Sequence, residues 1–193
     1  MRLKHSFLFL LLFQILFFLF SCESISHNSK KDSKIKYVVV DCPAEIREKA
    51  VFYAERYVER ETEWVWGGRD YLEKEGVLSL DCSGIIVCIY QYATIGTKYS
   101  LLFGDAPLSA LYEYFTIPIE KPKPGDIIFM GTENNKPPTH ISIFVKMEND
   151  NIFFIDSTLK EEDGINGVTL RYYSKDDPRL LYFARLLVKE NGT

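Results

Sequence analysis

The chain contains few of the side chains that build metal sites. It has 193 residues, four of them cysteines and three of them histidines. His5 and His27 fall in the first 36 residues, so His140 is the single imidazole of residues 37–193. Structural zinc sites use cysteine pairs such as C-x-x-C with further cysteine or histidine ligands, and this spacing does not occur here. We therefore expect neither a metal nor another cofactor.

An excess of basic residues is also missing. The formal net charge of the chain is −4. Residues 37–193 alone carry 17 basic and 25 acidic side chains, a net charge of −8. An acidic domain is repelled by a phosphate backbone, so we predict no nucleic-acid partner.

No apolar run is long enough for a standard membrane span. The first 22 residues, MRLKHSFLFLLLFQILFFLFSC, carry Arg2 and Lys4, followed by an apolar run from Phe7 to Phe20. This run is shorter than the ~20 residues that a bilayer requires and is typical of a signal peptide.

The end of this segment, LFSC, resembles a bacterial lipobox, in which the cysteine becomes the lipid-modified first residue of the mature protein. The resemblance implies that Cys22 anchors the protein to a membrane surface. An ordinary cleaved signal and an uncleaved anchor are the alternatives, and all three predict a periplasmic or cell-surface location.

We expect a signal peptide over 1–22, a flexible polar tether over 23–36 and one folded domain over 37–193.

The folded domain contains helix patterns first and strand patterns afterwards. An apolar helical stripe follows Pro43, and a second, more apolar helix is predicted from Cys82 to Tyr92 with Asp81 as its N-cap. Five β-branched and aromatic runs then alternate with turn-rich segments: DIIFM, HISIFVKM, NIFFIDS, GVTLRYY and LYFARLLV. Short turns favour antiparallel neighbours, so we predict an α+β fold with helices on one face of an antiparallel sheet of about five strands.

Two cysteines lie close together in LDCSGIIVC, residues 80–88. Cys82 falls in the first turn of the predicted helix, where backbone N–H groups and the helix dipole stabilise a thiolate. Cys88 lies about 120° further around the helix, so the two thiols cannot form a disulfide with each other. We predict that Cys82 is reactive and that Cys88 packs in the core, and a disulfide between Cys42 and Cys88 is left open.

Cys82 and His140 form a candidate nucleophile–base pair, because the domain has one thiol in a reactive position and one imidazole. A third polar group should orient the imidazole, and Asp156, in the next strand, is the best candidate. Ser157 falls on the opposite face of that strand. A carboxylate at Asp156 can accept a hydrogen bond from Nδ1–H of His140, and it would favour the imidazolium.

The ordered motifs EWVWGG, LDCSGIIVCIY, KPGDIIFM, THISIFV, NIFFIDS and YFARLL resemble the landmarks of the NlpC family. The resemblance covers about residues 43–188 and implies a papain-like cysteine peptidase that cuts peptidoglycan stem peptides. By position, Cys82 corresponds to the nucleophile, His140 to the base and Asp156 to the third polar residue.

The same resemblance implies substrate contacts. Asp81 and Ser83 flank the nucleophile where related enzymes contact the free N-terminus of the stem peptide, and Trp64 stands where the family commonly has a tyrosine. The implied target is the bond between the γ-carboxyl of D-glutamate and the diamino acid. We also expect a monomer.

Two alternatives to this function are open. Asp156 stands where the family more often has His, Asn or Gln, and the loop from Gly68 to Asp81 is long. A papain-like amidase or acyltransferase could act on another amide or ester with the same Cys–His pair. A non-catalytic surface lipoprotein with a retired site is the second alternative.

Overall fold

The structure is a computed structural model that describes residues 37–132 and 137–192. The predicted signal peptide (1–22), its Cys22 and the predicted tether (23–36) lie outside the described residues. In these two ranges, no helix combines the length and the apolar character that crossing a bilayer requires.

Three α-helices lie in the first half of the described chain. They are α1 (Ala44–Val58), α2 (Cys82–Thr94) and α3 (Leu108–Tyr114). Helix α1 starts directly after Pro43 and buries one stripe of residues, Ile46, Ala50, Ala54 and Tyr57, at helical spacing. Helix α2 is buried on nearly every side, as its apolar sequence predicts.

The described residues also form ten strands. They are β1 (Tyr37–Asp41), β2 (Thr62–Trp64), β3 (Leu78–Leu80), β4 (Tyr99–Leu101), β5 (Thr116–Ile119), β6 (Ile127–Met130), β7 (His140–Glu148), β8 (Asn151–Lys160), β9 (Ile165–Ser174) and β10 (Leu180–Asn191). Eight of them form an antiparallel sheet in the order β1-β10-β6-β7-β8-β9, and β4 and β5 also pair with β10. The remaining two, β2 and β3, form a separate parallel pair.

The α+β class is confirmed, but the prediction of about five strands was wrong, because the main sheet has eight. The five predicted runs are β6 to β10, and the additional strands are β1, β4 and β5. All three pair with the 12-residue β10, which also pairs with β6. The additional strands have only three to five residues, too few to show a clear alternation of apolar and polar positions.

The helices pack on one face of the large sheet and form the main apolar core with it. Adjacent strand residues point to opposite faces, so Ile143 joins this core while Phe144 joins a second cluster with Phe154 on the other face.

Cys88 is fully buried in the main core, which confirms its predicted packing role. Cys42 is buried as well, and both thiols are free, so the disulfide left open is not formed.

A buried carboxylate ties α1 to the sheet. Asp126, which ends the turn KPKPGD, accepts two hydrogen bonds of 2.8 Å from the guanidinium of Arg185 and one of 3.3 Å from Arg47 of α1. The backbone amide of Lys123 donates a fourth, of 2.7 Å. These four donors offset the cost of burying the charge, and together they join α1 and β10 to the turn before β6.

A close backbone approach positions the start of α2. Gly84 lies in the first turn of the helix, and a Cβ there would lie 2.1 Å from the carbonyl oxygen of Gly68. The same carbonyl accepts a 3.0 Å hydrogen bond from the amide of Asp81. Because the obstructing atom belongs to the backbone, it cannot rotate away from a larger side chain. The glycine therefore allows the helix to dock on the turn that contains Gly68.

We expect Gly84→Ala to lower the free energy of unfolding by about 1–3 kcal/mol or more, because the new methyl group overlaps the Gly68 carbonyl. Gly104→Ala is the matched control, since a Cβ at Gly104 meets no atom within 4 Å. Denaturant unfolding of both variants measures the difference. Equal stabilities for the two would contradict the proposed steric constraint.

Candidate active site

Cys82 is the first residue of α2, and Asp81 is the N-cap, as predicted. The first residues of a helix have amide groups with no partner within the helix, and the dipole is positive at this end. The side chain of Cys82 is partly exposed, unlike those of Cys42 and Cys88. Cys82 therefore combines solvent access with a position at the positive end of a helix dipole.

The carboxylate of Asp81 holds this helix start in place. One of its oxygens accepts a 2.6 Å hydrogen bond from the amide of Gly84 and a 2.9 Å hydrogen bond from the hydroxyl of Ser83. The other oxygen accepts a 2.8 Å hydrogen bond from the amide of Gly67. A carboxylate has about four acceptor sites, so these three donors leave room for one more.

His140 and Asp156 are in direct contact. His140 is the first residue of β7, and Asp156 lies in the neighbouring strand β8. Pairing of Ile143 with Ile155 sets the register and places His140 and Asp156 on the same face of the sheet. Nε2 of His140 lies 2.6 Å from a carboxylate oxygen of Asp156.

The carboxylate of Asp156 contacts Nε2 of His140, and not the Nδ1–H that it could also have bound. The ring orientation follows from the approach of β8 to the far end of the imidazole, which no local pattern encodes. Nδ1 is then the ring nitrogen left for another partner, and Cys82 is near enough to influence His140.

The environment favours the charged form of both groups. Burial lowers the pKa of His140, but hydrogen bonding and charge from Asp156 and Cys82 outweigh it and raise the pKa to about 10. Burial raises the pKa of Asp156, but His140 and Arg171 outweigh it and hold the pKa below its ordinary value. The carboxylate is 0% exposed and the imidazole is 23% exposed, so the pair interacts with little screening by water.

Arg171 is a member of this cluster that the sequence analysis did not identify. Its Nε donates a 3.0 Å hydrogen bond to one oxygen of Asp156, and its Nη2 contacts the other oxygen. The alternation of β9, with Arg171 in GVTLRYY, placed it on a face but did not show which residue of β8 it would meet.

A cleft of about 640 Å³ opens at Cys82. Its wall includes the three predicted substrate-contact residues, Trp64, Asp81 and Ser83. Residues that sequence reasoning did not select also line it, among them Trp66, Arg69, Asp105, Leu108 and Thr139. Trp66 is 84% exposed and packs edge-on against Trp64, so the motif EWVWGG supplies two aromatic rings rather than one.

Ser157 points away from this cluster, as predicted. Its hydroxyl donates a 2.7 Å hydrogen bond to the carbonyl of Leu80 in β3. Leu80 directly precedes Asp81, so Ser157 attaches β8 to the segment that leads into α2. Across the part of the chain that the structure describes, no group of three or more His, Cys, Asp or Glu side chains is arranged to hold a metal ion.

The fold and this cluster define an α+β protein in which an imidazole–carboxylate pair lies near a thiol, and that thiol lines a cleft. The chain matches the family model described as the NlpC/P60 family over residues 61–178, more than half of its length. The protein belongs to the NlpC/P60 family.

Solved structures similar to this one include three proteins with 20–22% sequence identity. A protein from Staphylococcus aureus, described as similar to a lipoprotein of the NLP/P60 family, has 22% identity and a TM-score of 0.48; the alignment covers 76% of this chain and 43% of that one. NlpC2 from Trichomonas vaginalis has 22% identity and a TM-score of 0.46, covering 79% and 48%. NlpC1 from the same organism has 20% identity and a TM-score of 0.43, covering 79% and 46%.

This chain therefore aligns with less than half the length of each of these proteins. A comparison with curated proteins finds no match.

The raised pKa of His140 predicts a pH-dependent stability. Because folding raises this pKa from 6.5 to about 10, the native state binds an extra proton between these values. The stabilisation is complete below about pH 6.5 and is lost as the pH approaches 10. Unfolding by denaturant at pH 6.5 and pH 10 should show a larger loss of stability in the wild type than in His140→Gln. An equal loss in both proteins would show that His140 is not the group responsible.

Proposed function

We propose that the protein is a papain-like cysteine endopeptidase that cleaves peptidoglycan stem peptides, at the bond between D-glutamate and the diamino acid. In this proposal Cys82 is the nucleophile, His140 the general base and acid, and Asp156 the residue that orients the imidazole. The observation that carries the proposal is the 2.6 Å contact between His140 and Asp156, next to a partly exposed thiol at the start of α2. Family membership supports the cell-wall substrate.

The chemistry begins with a thiolate and an imidazolium. Sγ of Cys82 forms a bond to the carbonyl carbon of the substrate amide, and the carbonyl oxygen takes the negative charge. The amide group of Cys82, unpaired within the helix, is suited to donate a hydrogen bond to that oxygen. His140 then gives its proton to the leaving amine as the C–N bond breaks, which leaves a thioester on Cys82.

Hydrolysis of the thioester completes the cycle. His140, now neutral, accepts a proton from a water molecule as the water oxygen attacks the thioester carbon. The C–S bond breaks, the new carboxylic acid leaves, and the thiolate–imidazolium pair is restored. Asp156 keeps the ring orientation through both steps because its carboxylate contacts Nε2, the nitrogen opposite the reacting one.

Asp81, Ser83 and Trp64 are proposed to bind the free N-terminus of the stem peptide. All three line the cleft beside Cys82. The acceptor site left on the Asp81 carboxylate suits an ammonium group, and the hydroxyl of Ser83 can accept a second N–H. Such a site favours short peptides with a free amino end over long unprocessed chains.

We expect Cys82→Ala and His140→Ala to abolish cleavage of purified muropeptides while leaving the fold intact. Cys88→Ala should retain activity, because Cys88 is fully buried in the core and burial raises its pKa to about 11. Mass spectrometry of muropeptides incubated with each protein identifies the bond that is cut. Circular dichroism checks that the inactive variants are folded.

Three results would contradict the proposal. If Cys88→Ala is as inactive as Cys82→Ala, the nucleophile is assigned wrongly. Cleavage of generic amides or esters but not of muropeptides would favour a papain-like amidase or acyltransferase. A wild-type protein that binds muropeptides and leaves them intact would indicate a retired, surface-binding relative.

We also propose that Cys22 carries a lipid and anchors the protein outside the cytoplasm. Expression in a bacterium with an alkyne-tagged fatty acid should label the wild type and not Cys22→Ser, and the wild type should fractionate with membranes. Labelling of Cys22→Ser to the same extent would contradict a lipid on this residue and leave a cleaved signal or an uncleaved anchor.

A further inference from the structure

The Asp156 carboxylate has two positively charged neighbours. Nε2 of His140 lies 2.6 Å from Oδ2. Arg171 binds the same carboxylate with both arms of its guanidinium, Nε to Oδ1 at 3.0 Å and Nη2 to Oδ2. Oδ2 is therefore shared between the imidazole and the guanidinium. Two-point contact with Arg171 also fixes the plane of the carboxylate, and with it the direction from which His140 is bound.

Arg171 itself is held rigidly. The sheet register pairs Asp156 with Thr169 and Phe154 with Arg171, so Arg171 is the diagonal neighbour of Asp156 on one face of the sheet. Its guanidinium lies over the ring of Phe154 at 5.1 Å, and its Nη1 donates a 3.0 Å hydrogen bond to the hydroxyl of Tyr173. The side chain is only 10% exposed, so this arrangement does not depend on a mobile surface residue.

Among the residues that the structure describes, few other charged groups face this cluster. Cys82 faces His140 from α2. On the far side, Tyr173 of β9 separates Arg171 from two cations: Lys160 of β8 contacts the Tyr173 hydroxyl at 3.2 Å, and Arg179 lies 3.8 Å from the ring centroid. Arg179 is already paired with Asp177. Arg171 is therefore the guanidinium whose charge acts directly on Asp156.

We propose that Arg171 is a positioning residue of the catalytic set, which keeps Asp156 ionised and oriented and cancels much of its charge at His140. The inference rests on the proposed function, because it assigns a role within the same site. A lone carboxylate buried at Asp156 would be costly, and it would hold the imidazolium too tightly for proton transfer. Sharing Oδ2 with Arg171 weakens that hold while keeping the ring in place.

The test uses the pH dependence of two rates in the full-length protein. The first is alkylation of Cys82 by iodoacetamide, followed by mass spectrometry of the peptide that contains Cys82, which needs no substrate. Burial raises the pKa of Cys42 to about 12 and that of Cys88 to about 11, so these thiols react slowly in the same range. The second is kcat/KM for muropeptide cleavage.

Each rate plotted against pH rises or falls where a group in the site titrates, and these rises and falls are the limbs of its pH profile. Arg171→Met should move the limbs of both profiles to higher pH by about one unit, because removing a cation makes every nearby acid harder to ionise. It should also lower kcat at least about 10-fold with little change in KM, since Arg171 does not touch the substrate. Arg171→Lys keeps the charge but loses the two-point contact, so its limbs should stay near those of the wild type while kcat falls.

Arg185→Met is the matched control. Arg185 also binds a buried carboxylate with two hydrogen bonds of 2.8 Å, but its partner is Asp126 rather than Asp156. We expect this variant to lose thermal stability and to keep both limbs where they are in the wild type. If Arg171→Met loses thermal stability in the same way and the limbs of its pH profiles do not move, the proposal is overturned and Arg171 is a structural residue.

A double variant keeps the test decisive if Arg171→Met does not fold. Asp156→Asn with Arg171→Met removes both charges and leaves no unpaired buried ion. It should cleave muropeptides faster than Asp156→Asn alone, in which the cation faces the imidazolium without its partner. A double variant no faster than Asp156→Asn would overturn the proposal.

The proposed function fails separately. In that case wild type and Cys82→Ala give the same muropeptide pattern, or alkylation of Cys82 has the same pH profile in wild type and His140→Ala. If both of these comparisons show the expected differences and the limbs do not move in folded Arg171→Met, only the role of Arg171 is wrong.

Discussion

The docking of the α2 N-terminus on the turn at Gly67 and Gly68 is the constraint on which the site depends. The Asp81 carboxylate joins the two. It accepts one hydrogen bond from the amide of Gly67 in the turn and another from the amide of Gly84 at the start of the helix. Gly84 permits the contact because any side chain there would overlap the Gly68 carbonyl. Cys82 lies between these anchors, so its position is set by backbone geometry and not by side-chain packing alone. The proposed role of Cys82 as a nucleophile requires such rigid support, because a nucleophile must be held close to the carbonyl it attacks.

Two buried aspartates use the same chemistry for different purposes. Asp126 and Asp156 are both fully buried, and each is bound at two points by an arginine from a neighbouring strand. Around Asp126 the remaining donors are Arg47 and a backbone amide, so the cluster joins helix to sheet. Around Asp156 the remaining partner is His140, which also interacts with Cys82. The difference lies in the third partner, which places the Asp156 ion pair in the proposed active site and leaves the Asp126 ion pair a purely structural one.

Much of the site could be predicted from local patterns. An aspartate followed by a cysteine and an apolar run indicated a helix start, and the structure has Asp81 as the N-cap of α2. The alternation in NIFFIDS separated Asp156 from Ser157, and the two side chains do point to opposite faces. The short strands β1, β4 and β5 could not be predicted, because they form only where the long β10 offers them unpaired backbone groups.

The sequence by itself determined the local elements: where α2 begins, that Cys88 is buried, and which five runs form the strands β6 to β10. Tertiary structure alone decided the partners. Arg171 meets Asp156, and Nε2 of His140 rather than Nδ1 faces the carboxylate, because the register between β7, β8 and β9 brings those atoms together. The hydroxyl of Ser157 reaches Leu80 across 77 residues of sequence for the same reason. Helix and strand periodicities report which face a residue occupies, whereas register depends on interactions between segments that are distant in the chain.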